Sequence, residues 1–211
     1  MTIYHPKLDE HGAKVGLKNP SNPSPLLSWS NPAEVATVIP NGALPTELNG
    51  IALANWTDTP VTLKAWEALA AECKVDEPLF TPPPHKKHAS GVVIEESDGR
   101  VWLISPSNGF GGYINTFPKG TVESGASKKA AAIKETFEES GLRVELTEFL
   151  IDTDRTTSYT RYYRAKRIGG NPADMGWESQ AIHLVPRNML NLYLTHPSDQ
   201  PLLKLLLKEK K

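Results

Sequence analysis

The segment from Ser127 to Gly141 constrains this chain more than any other, because both of its ends and both of its faces can be read from its residues. The Ser127 hydroxyl can accept a hydrogen bond from an orphan backbone N–H of a first turn, and Gly141 can adopt the left-handed conformation that ends a helix. A helix from Ser127 to Ser140 is therefore predicted. Within it Ala130, Ile133 and Phe137 recur at i, i+3 and i+7, one apolar stripe that has to meet a core. Glu135, Glu138 and Glu139, at i, i+3 and i+4, take the opposite side, within about 100° of arc at 3.6 residues per turn.

Like charges at these spacings repel, by about 0.2–0.5 kcal/mol for each pair on an isolated helix. Water can relieve the repulsion if the acidic face is simply solvated. A divalent cation relieves it more completely. Carboxylate oxygens are hard ligands that suit Mg²⁺ or Mn²⁺, and these ions bind phosphate oxygens at the same time.

The stretch Gly120–Leu142, GTVESGASKKAAAIKETFEESGL, decides between the two. It resembles the Nudix box, G-x5-E-x7-R-E-U-x-E-E-x-G-U with U a bulky apolar residue, and Gly120, Glu135, Glu138, Glu139, Gly141 and Leu142 match without a gap. Three positions depart from it. Ala126 stands where a glutamate is usual, Lys134 replaces the arginine, and Thr136 fills an apolar slot. Ala126 removes one carboxylate, and Lys134 keeps the charge while losing the planar fork of a guanidinium.

The resemblance implies an α+β fold, a Nudix-type mixed sheet with flanking helices, over roughly residues 88–200. It also implies a metal-dependent hydrolase in which Glu138 and Glu139 are metal ligands and Glu135 is a further ligand or the base. The expected reaction is attack of water on a phosphorus, cleaving a phosphoanhydride bond in a nucleoside diphosphate derivative or related polyphosphate. Phe117-Pro118-Lys119-Gly120 resembles the entry to the box in enzymes of diadenosine and diphosphoinositol polyphosphates. Lys119 is accordingly a candidate phosphate ligand, the alternative being a solvated turn lysine. Glu178, six residues before Leu184, resembles a downstream glutamate that some members use as ligand or base; otherwise it is a loop residue beside Trp177.

Arg155, Arg161, Arg164, Lys166 and Arg167 form a basic cluster around a tyrosine-rich strand, with Arg161 and Tyr163 on one face and Tyr162 and Arg164 on the other. Arg155 and Arg161 are the candidates for substrate phosphate, unless the charges merely keep a strand soluble. The six histidines show no metal-ligand spacing, and no Gly-rich phosphate loop ending in Lys-Ser/Thr occurs.

Proline divides the chain, 12 of 18 lying at or before Pro84. Residues 1–84 are expected to form a loop-rich N-terminal extension with one short helix in Pro60–Cys73, and residues 85–211 the catalytic domain, with the boundary at Thr81-Pro82-Pro83-Pro84. Beyond it the residues predict a hairpin of Ser90–Glu96 and Arg100–Ser105 turning at Asp98-Gly99, and a short strand ending at Phe117. Strands follow near Arg143–Phe149, Ser158–Ile168 and Ala181–Val185, then two terminal helices, the last basic at its end.

A net charge of −1 provides no global attraction to nucleic acid or an anionic membrane, so a small phosphorylated substrate is the expected partner. A charged, proline-bearing N-terminus and a single cysteine, Cys73, point to a cytoplasmic setting, and no apolar run is long enough to span a bilayer. The first 80 residues are a candidate partner-binding or dimerisation arm, which makes a homodimer one expected assembly. Ala126 supports an alternative from another class, a Nudix fold that binds a nucleotide as a sensor without cutting it.

Overall fold

In the computed structural model, which describes residues 2–208, the predicted hairpin is present. In chain order the strands are β1 (Ile3–Leu8), β2 (Lys14–Leu17), β3 (Ala36–Val38), β4 (Glu47–Leu48), β5 (Ile51–Ala52), β6 (Lys87–Glu95), β7 (Arg100–Pro106), β8 (Lys119–Thr121), β9 (Leu142–Asp154), β10 (Ser158–Gly170) and β11 (Ser179–Pro186). The α-helices are α1 (Leu63–Glu72), α2 (Lys128–Ser140), α3 (Leu190–Tyr193) and α4 (Gln200–Lys208). The class is α+β with a mixed sheet, as the sequence led us to expect.

Seven strands form the main sheet, in the order β3-β11-β7-β6-β10-β9, with β8 also on β6. β6 pairs with β7 only at Ile94↔Trp102 and Glu95↔Val101, next to the turn. Farther along, its partners are β8, antiparallel at Ala89–Gly91, and β10, parallel from Lys87↔Ser158 to Glu95↔Lys166. The expected strand ending at Phe117 is replaced by a single bridge at Thr116 and by β8 beyond Pro118. Proline has no N–H to continue a ladder, although the Pro118 carbonyl still accepts from Val92 N at 3.0 Å.

Alternation along the central strands builds a core on each face of the sheet. Val92, Ile94, Trp102, Ile104, Tyr163 and Leu184 point to the side that carries α1 and α2, where they meet Trp66, Ala132 and Ile133. Val93, Val101, Leu103, Tyr162 and Val185 point to the other side, against Leu190, Leu202 and Leu206 of α3 and α4. The sheet is thus sandwiched between helices, and α2 is held on the face that the stripe of Ala130 and Ile133 demands. Among the described residues no helix is long and apolar enough to cross a membrane.

The N-terminal region holds more structure than its prolines suggest. β1 and β2 form one small sheet and β4 and β5 another, while β3 adds an edge strand to the main sheet through Ile182↔Val38 and Leu184↔Ala36. Trp29 is buried against Trp102, ring centroids 5.9 Å apart. α1 starts after Thr62, whose side chain accepts from Ala65 N at 3.2 Å, and packs on α2. Part of the basic C-terminal end expected from the sequence, Glu209–Lys211, lies outside the described residues.

Candidate active site

Both predicted ends of α2 are as its residues require. Ser127 Oγ accepts from Ala130 N at 3.1 Å, while Ser127's own N–H donates to the Glu67 carboxylate of α1 at 2.6 Å. In a capping box the second bond comes from the third helical residue; here that residue is Ala130, and a neighbouring helix supplies the carboxylate instead. At the other end Gly141 has φ 68°, its N–H reaches Phe137 O at 2.7 Å, and a Cβ there would lie 2.2 Å from Asn171 O. Only glycine satisfies both the left-handed geometry and that approach. Phe137, half-buried, closes the apolar side edge-on to Trp56 at 5.2 Å.

The acidic side meets β8 and the loop that leads out of it. Glu139, 8% exposed, accepts a hydrogen bond from Lys119 N at 2.7 Å. The Glu135 carboxylate lies over Gly120, where a Cβ would stand 1.9 Å from Oε2, so the glycine of the box is the space this carboxylate occupies. Glu138 is exposed and paired with Lys134 at 2.9 Å. Lys134 also holds Glu123 at 2.9 Å, so a carboxylate reaches this end of the site from the loop although position 126 is alanine. Nothing in the periodicity of the sequence marked Glu123 or Glu67; each acts through a contact made only in three dimensions.

Glu178 approaches from the connection between β10 and β11. That connection is joined to α2 by Gly176 N donating to Glu138 O at 2.8 Å, and to the end of β7 by Ser107 N donating to Glu178 O at 2.7 Å. The segments carrying Glu135, Glu138, Glu139 and Glu178 therefore converge on one region. Burial, then the charge of Glu138, pushes Glu135 up to about 7. Burial also pushes Glu139 up to about 8, with Lys119 opposing and Glu135 and Glu178 adding to it. Glu178 is raised as well, by desolvation first and then by Glu138 and Glu10. Lys134 is raised because its bonds to Glu123 and Glu138 outweigh the desolvation that opposes them.

Thr136, the departure in an apolar slot, is fully buried and satisfied, its hydroxyl donating to Ala132 O at 2.7 Å. Lys119 projects over the Tyr113 ring, 5.3 Å from its centroid. Tyr113 is a second neighbour of the site that no sequence pattern signalled.

The two candidate arginines are taken up by other side chains, Arg155 through Tyr113 beside the site. Arg161, 1% exposed, grips Asp152 with Nε and Nη2 at 2.8 and 2.7 Å and Glu77 with Nη1 at 2.7 Å. Arg155 donates to Tyr162 Oη at 2.7 Å, Tyr113 Oη at 2.8 Å and Asp199 at 2.9 Å. Asp152 stands directly opposite Arg161 in the β9–β10 register, a pairing that a hairpin reading of the two strands could have found.

Among the described residues, no three or more His, Cys, Asp or Glu side chains are gathered as a ready-made metal cage. The donor set nevertheless suits a hard divalent cation. It is made of carboxylate oxygens alone, Gly120 leaves room for one of them, and a backbone N–H orients another. Glu138, exposed and among the described residues paired with Lys134 alone, is free to exchange that partner.

Comparison with known proteins bears on the fold that carries these residues. Over 99 residues the chain is 34% identical to an RNA pyrophosphohydrolase from Caulobacter vibrioides, covering 46% of this chain and 54% of that protein. It spans about half the length of the curated relatives it matches. Its fold is similar to the crystal structure of a NUDIX hydrolase from Nitrosomonas europaea, with a TM-score of 0.50 and 21% identity, covering 60% of this chain and 73% of that one. The family model described as the NUDIX domain matches residues 85–206, more than half of the chain and the whole carboxylate site. This chain belongs to the Nudix family.

Proposed function

We propose that the chain is a pyrophosphohydrolase that cleaves a phosphoanhydride bond in a nucleoside diphosphate derivative or a related polyphosphate. The observation that carries this reading is structural: Glu139 accepts from Lys119 N, Glu135 lies over Gly120, and Gly176 N joins the segment carrying Glu178 to Glu138 O, so that burial and like charge raise Glu135, Glu139 and Glu178 together. Perturbation by burial and like charge is characteristic of sites that handle protons or cations. Glu135, Glu138 and Glu139 are the residues that would hold Mg²⁺ or Mn²⁺, which when bound supplies charge neutralisation for the phosphate oxygens and a more acidic water.

This chain's own groups do the rest. Lys119, at the mouth of β8, places its ammonium for a substrate phosphate, as its Phe-Pro-Lys-Gly setting suggests for the diadenosine or diphosphoinositol polyphosphate branch. A water attacks phosphorus, the bond to the bridging oxygen breaks, and the proton passes to a carboxylate. Glu135, whose carboxylate lies over Gly120, is one acceptor wherever it is not itself a ligand. Glu178 is the other, or else a further ligand of the metal. Arg155 and Arg161 are left out of the reading, since carboxylates and tyrosines already take up their guanidinium donors.

The test is a hydrolysis screen with Mg²⁺ or Mn²⁺ over ADP-ribose, diadenosine polyphosphates, diphosphoinositol polyphosphates and, because of the Caulobacter relative, an RNA. Glu138→Gln should lower turnover of whichever compound is cut by about 100-fold or more, since even the outer partners of metal ligands are worth 10- to 100-fold, without unfolding the chain. Full activity in Glu138→Gln would refute the reading. Ala126 favours a second one, a nucleotide-binding module without turnover; calorimetric affinity for these compounds with no product would select it. Comparing Glu135→Gln with Glu178→Gln identifies the base, and a residue whose loss leaves the rate unchanged is not that base.

A further inference from the structure

The N-terminal hairpin lies outside the matched family region but touches both loops beside the carboxylates. Its turn is rigid: Asp9 Oδ1 accepts from His11 N at 2.9 Å and Ala13 N at 2.8 Å, and Asp9 N donates to Ala13 O at 2.9 Å. On one side Lys7 pairs with Asp174 at 2.9 Å and also donates to its carbonyl, and His5, 3% exposed, sits beside the backbone of Ser179. The first contact falls on the connection that carries Glu178 and the second on the first residue of β11, next to Glu178. On the other side Lys18 N donates to Asn108 Oδ1 at 2.8 Å, and Asn108 Nδ2 donates back to Gly16 O at 2.9 Å.

Asn108 follows Ser107, whose N–H and hydroxyl hold the carbonyls of Glu178 and Trp177, each at 2.7 Å. The hairpin therefore reaches Glu178 by two independent routes, one through Asp174 and one through Asn108 and Ser107. Glu10, at the tip of its turn, is near enough for its charge to raise Glu178.

We propose that the β1–β2 hairpin is a positioning clamp for Glu178, with Lys7 and Asn108 as its positioning residues, setting where that carboxylate stands as a further metal ligand beside Glu138 and Glu139. The inference rests on the carboxylate site proposed above. The clamp holds the connection from outside while the Gly176 to Glu138 bond holds it from inside. Glu178 lies on an irregular segment, and a displacement of about 1 Å in such a segment is enough to spoil a site.

The test uses the full chain and Mn²⁺ alone, with affinity read by electron paramagnetic resonance titration. Lys7→Met removes one route. Asn108→Gly removes the other while still tolerating that residue's φ of 57°. The double variant should bind Mn²⁺ about tenfold more weakly, in the range known for outer partners of metal sites, with an unchanged thermal midpoint. Lys7→Arg should restore most of the loss caused by Lys7→Met.

The deciding readout is coupling. In a Glu178→Gln background the same two substitutions should cost nothing further, because the clamp acts through Glu178. Wild-type affinity in the double variant, or losses that simply add to that of Glu178→Gln, would overturn the clamp while leaving the carboxylate site standing. Unchanged Mn²⁺ binding in Glu138→Gln would instead overturn the site, and the clamp with it.

Discussion

The arginines around β10 and the glutamates of α2 are both buried charges, and they are treated in opposite ways. Arg161 faces Asp152 and Glu77, Arg155 faces Asp199, and Arg167 faces Glu96. Glu135 and Glu139 make no ion pair among the described residues and face other carboxylates, with Lys119 and Lys134 offsetting that repulsion only in part while Lys134 pairs with Glu138 and Glu123. A buried pair lowers the free energy of the fold it sits in, or at least avoids the cost of a lone charge. A buried cluster of one sign raises it, and it persists because something outside the chain completes it. The sign pattern of the neighbours therefore separates scaffold from site.

This contrast can be broken most forcefully at Arg161. Arg161→Met leaves Asp152 and Glu77 without their cation and should cost about 3–5 kcal/mol in urea unfolding, with kcat/KM of the remaining folded protein unchanged. Retained stability with lost activity would return Arg161 to the substrate, where its sequence setting first placed it.

His183 sharpens the contrast because it is buried and uncharged. It hydrogen bonds Thr37 Oγ1 and Ser105 Oγ, each at 2.8 Å, joining β3, β11 and β7. Burial lowers its pKa from 6.5 to about 4. The unfolded chain therefore binds the proton more tightly, and stability that is complete above pH 6.5 is lost as pH falls toward 4. The loss should approach about 3 kcal/mol at most, at 1.36 kcal/mol per pKa unit. It is measured as the difference between wild type and His183→Gln, so that Glu135 and Glu139, whose raised values act in the opposite sense, cancel.

Glu139→Gln should reverse the behaviour of Arg161→Met. The amide oxygen can still accept from Lys119 N while the repulsion disappears, so the metal-free thermal midpoint should hold or rise as Mn²⁺ affinity falls about 10- to 100-fold. A lower midpoint would show that the carboxylate is structural. The smallest effect belongs to the cap: Ser127→Ala should cost about 1 kcal/mol, and its effect on activity should be no larger than that on stability.

Local chemistry made part of this legible in advance. Ser127 and Gly141 fixed the ends of α2, Asp98-Gly99 fixed the β6–β7 turn, and the spacing of Glu135, Glu138 and Glu139 fixed the acidic face. What stayed hidden depended on pairings distant in sequence. Three residues, Ala36–Val38, are too short a run to announce an edge strand, and only β11 makes them one. The basic strand looked available because Glu77 and Asp199, which neutralise it, come from other parts of the chain. Glu67, capping α2 from α1, was invisible for the same reason.

The parallel pairing of β6 with β10 encloses α2 in the crossover between them. Such a connection forms only when two distant stretches meet, which makes it slow relative to local contacts. No fragment that stops short of β10 can assemble the carboxylates, and an amide in the middle of α2 should exchange with solvent only when the whole sheet opens. Whatever chemistry the site performs therefore depends on that long-range closure as much as on the helix that bears the acids.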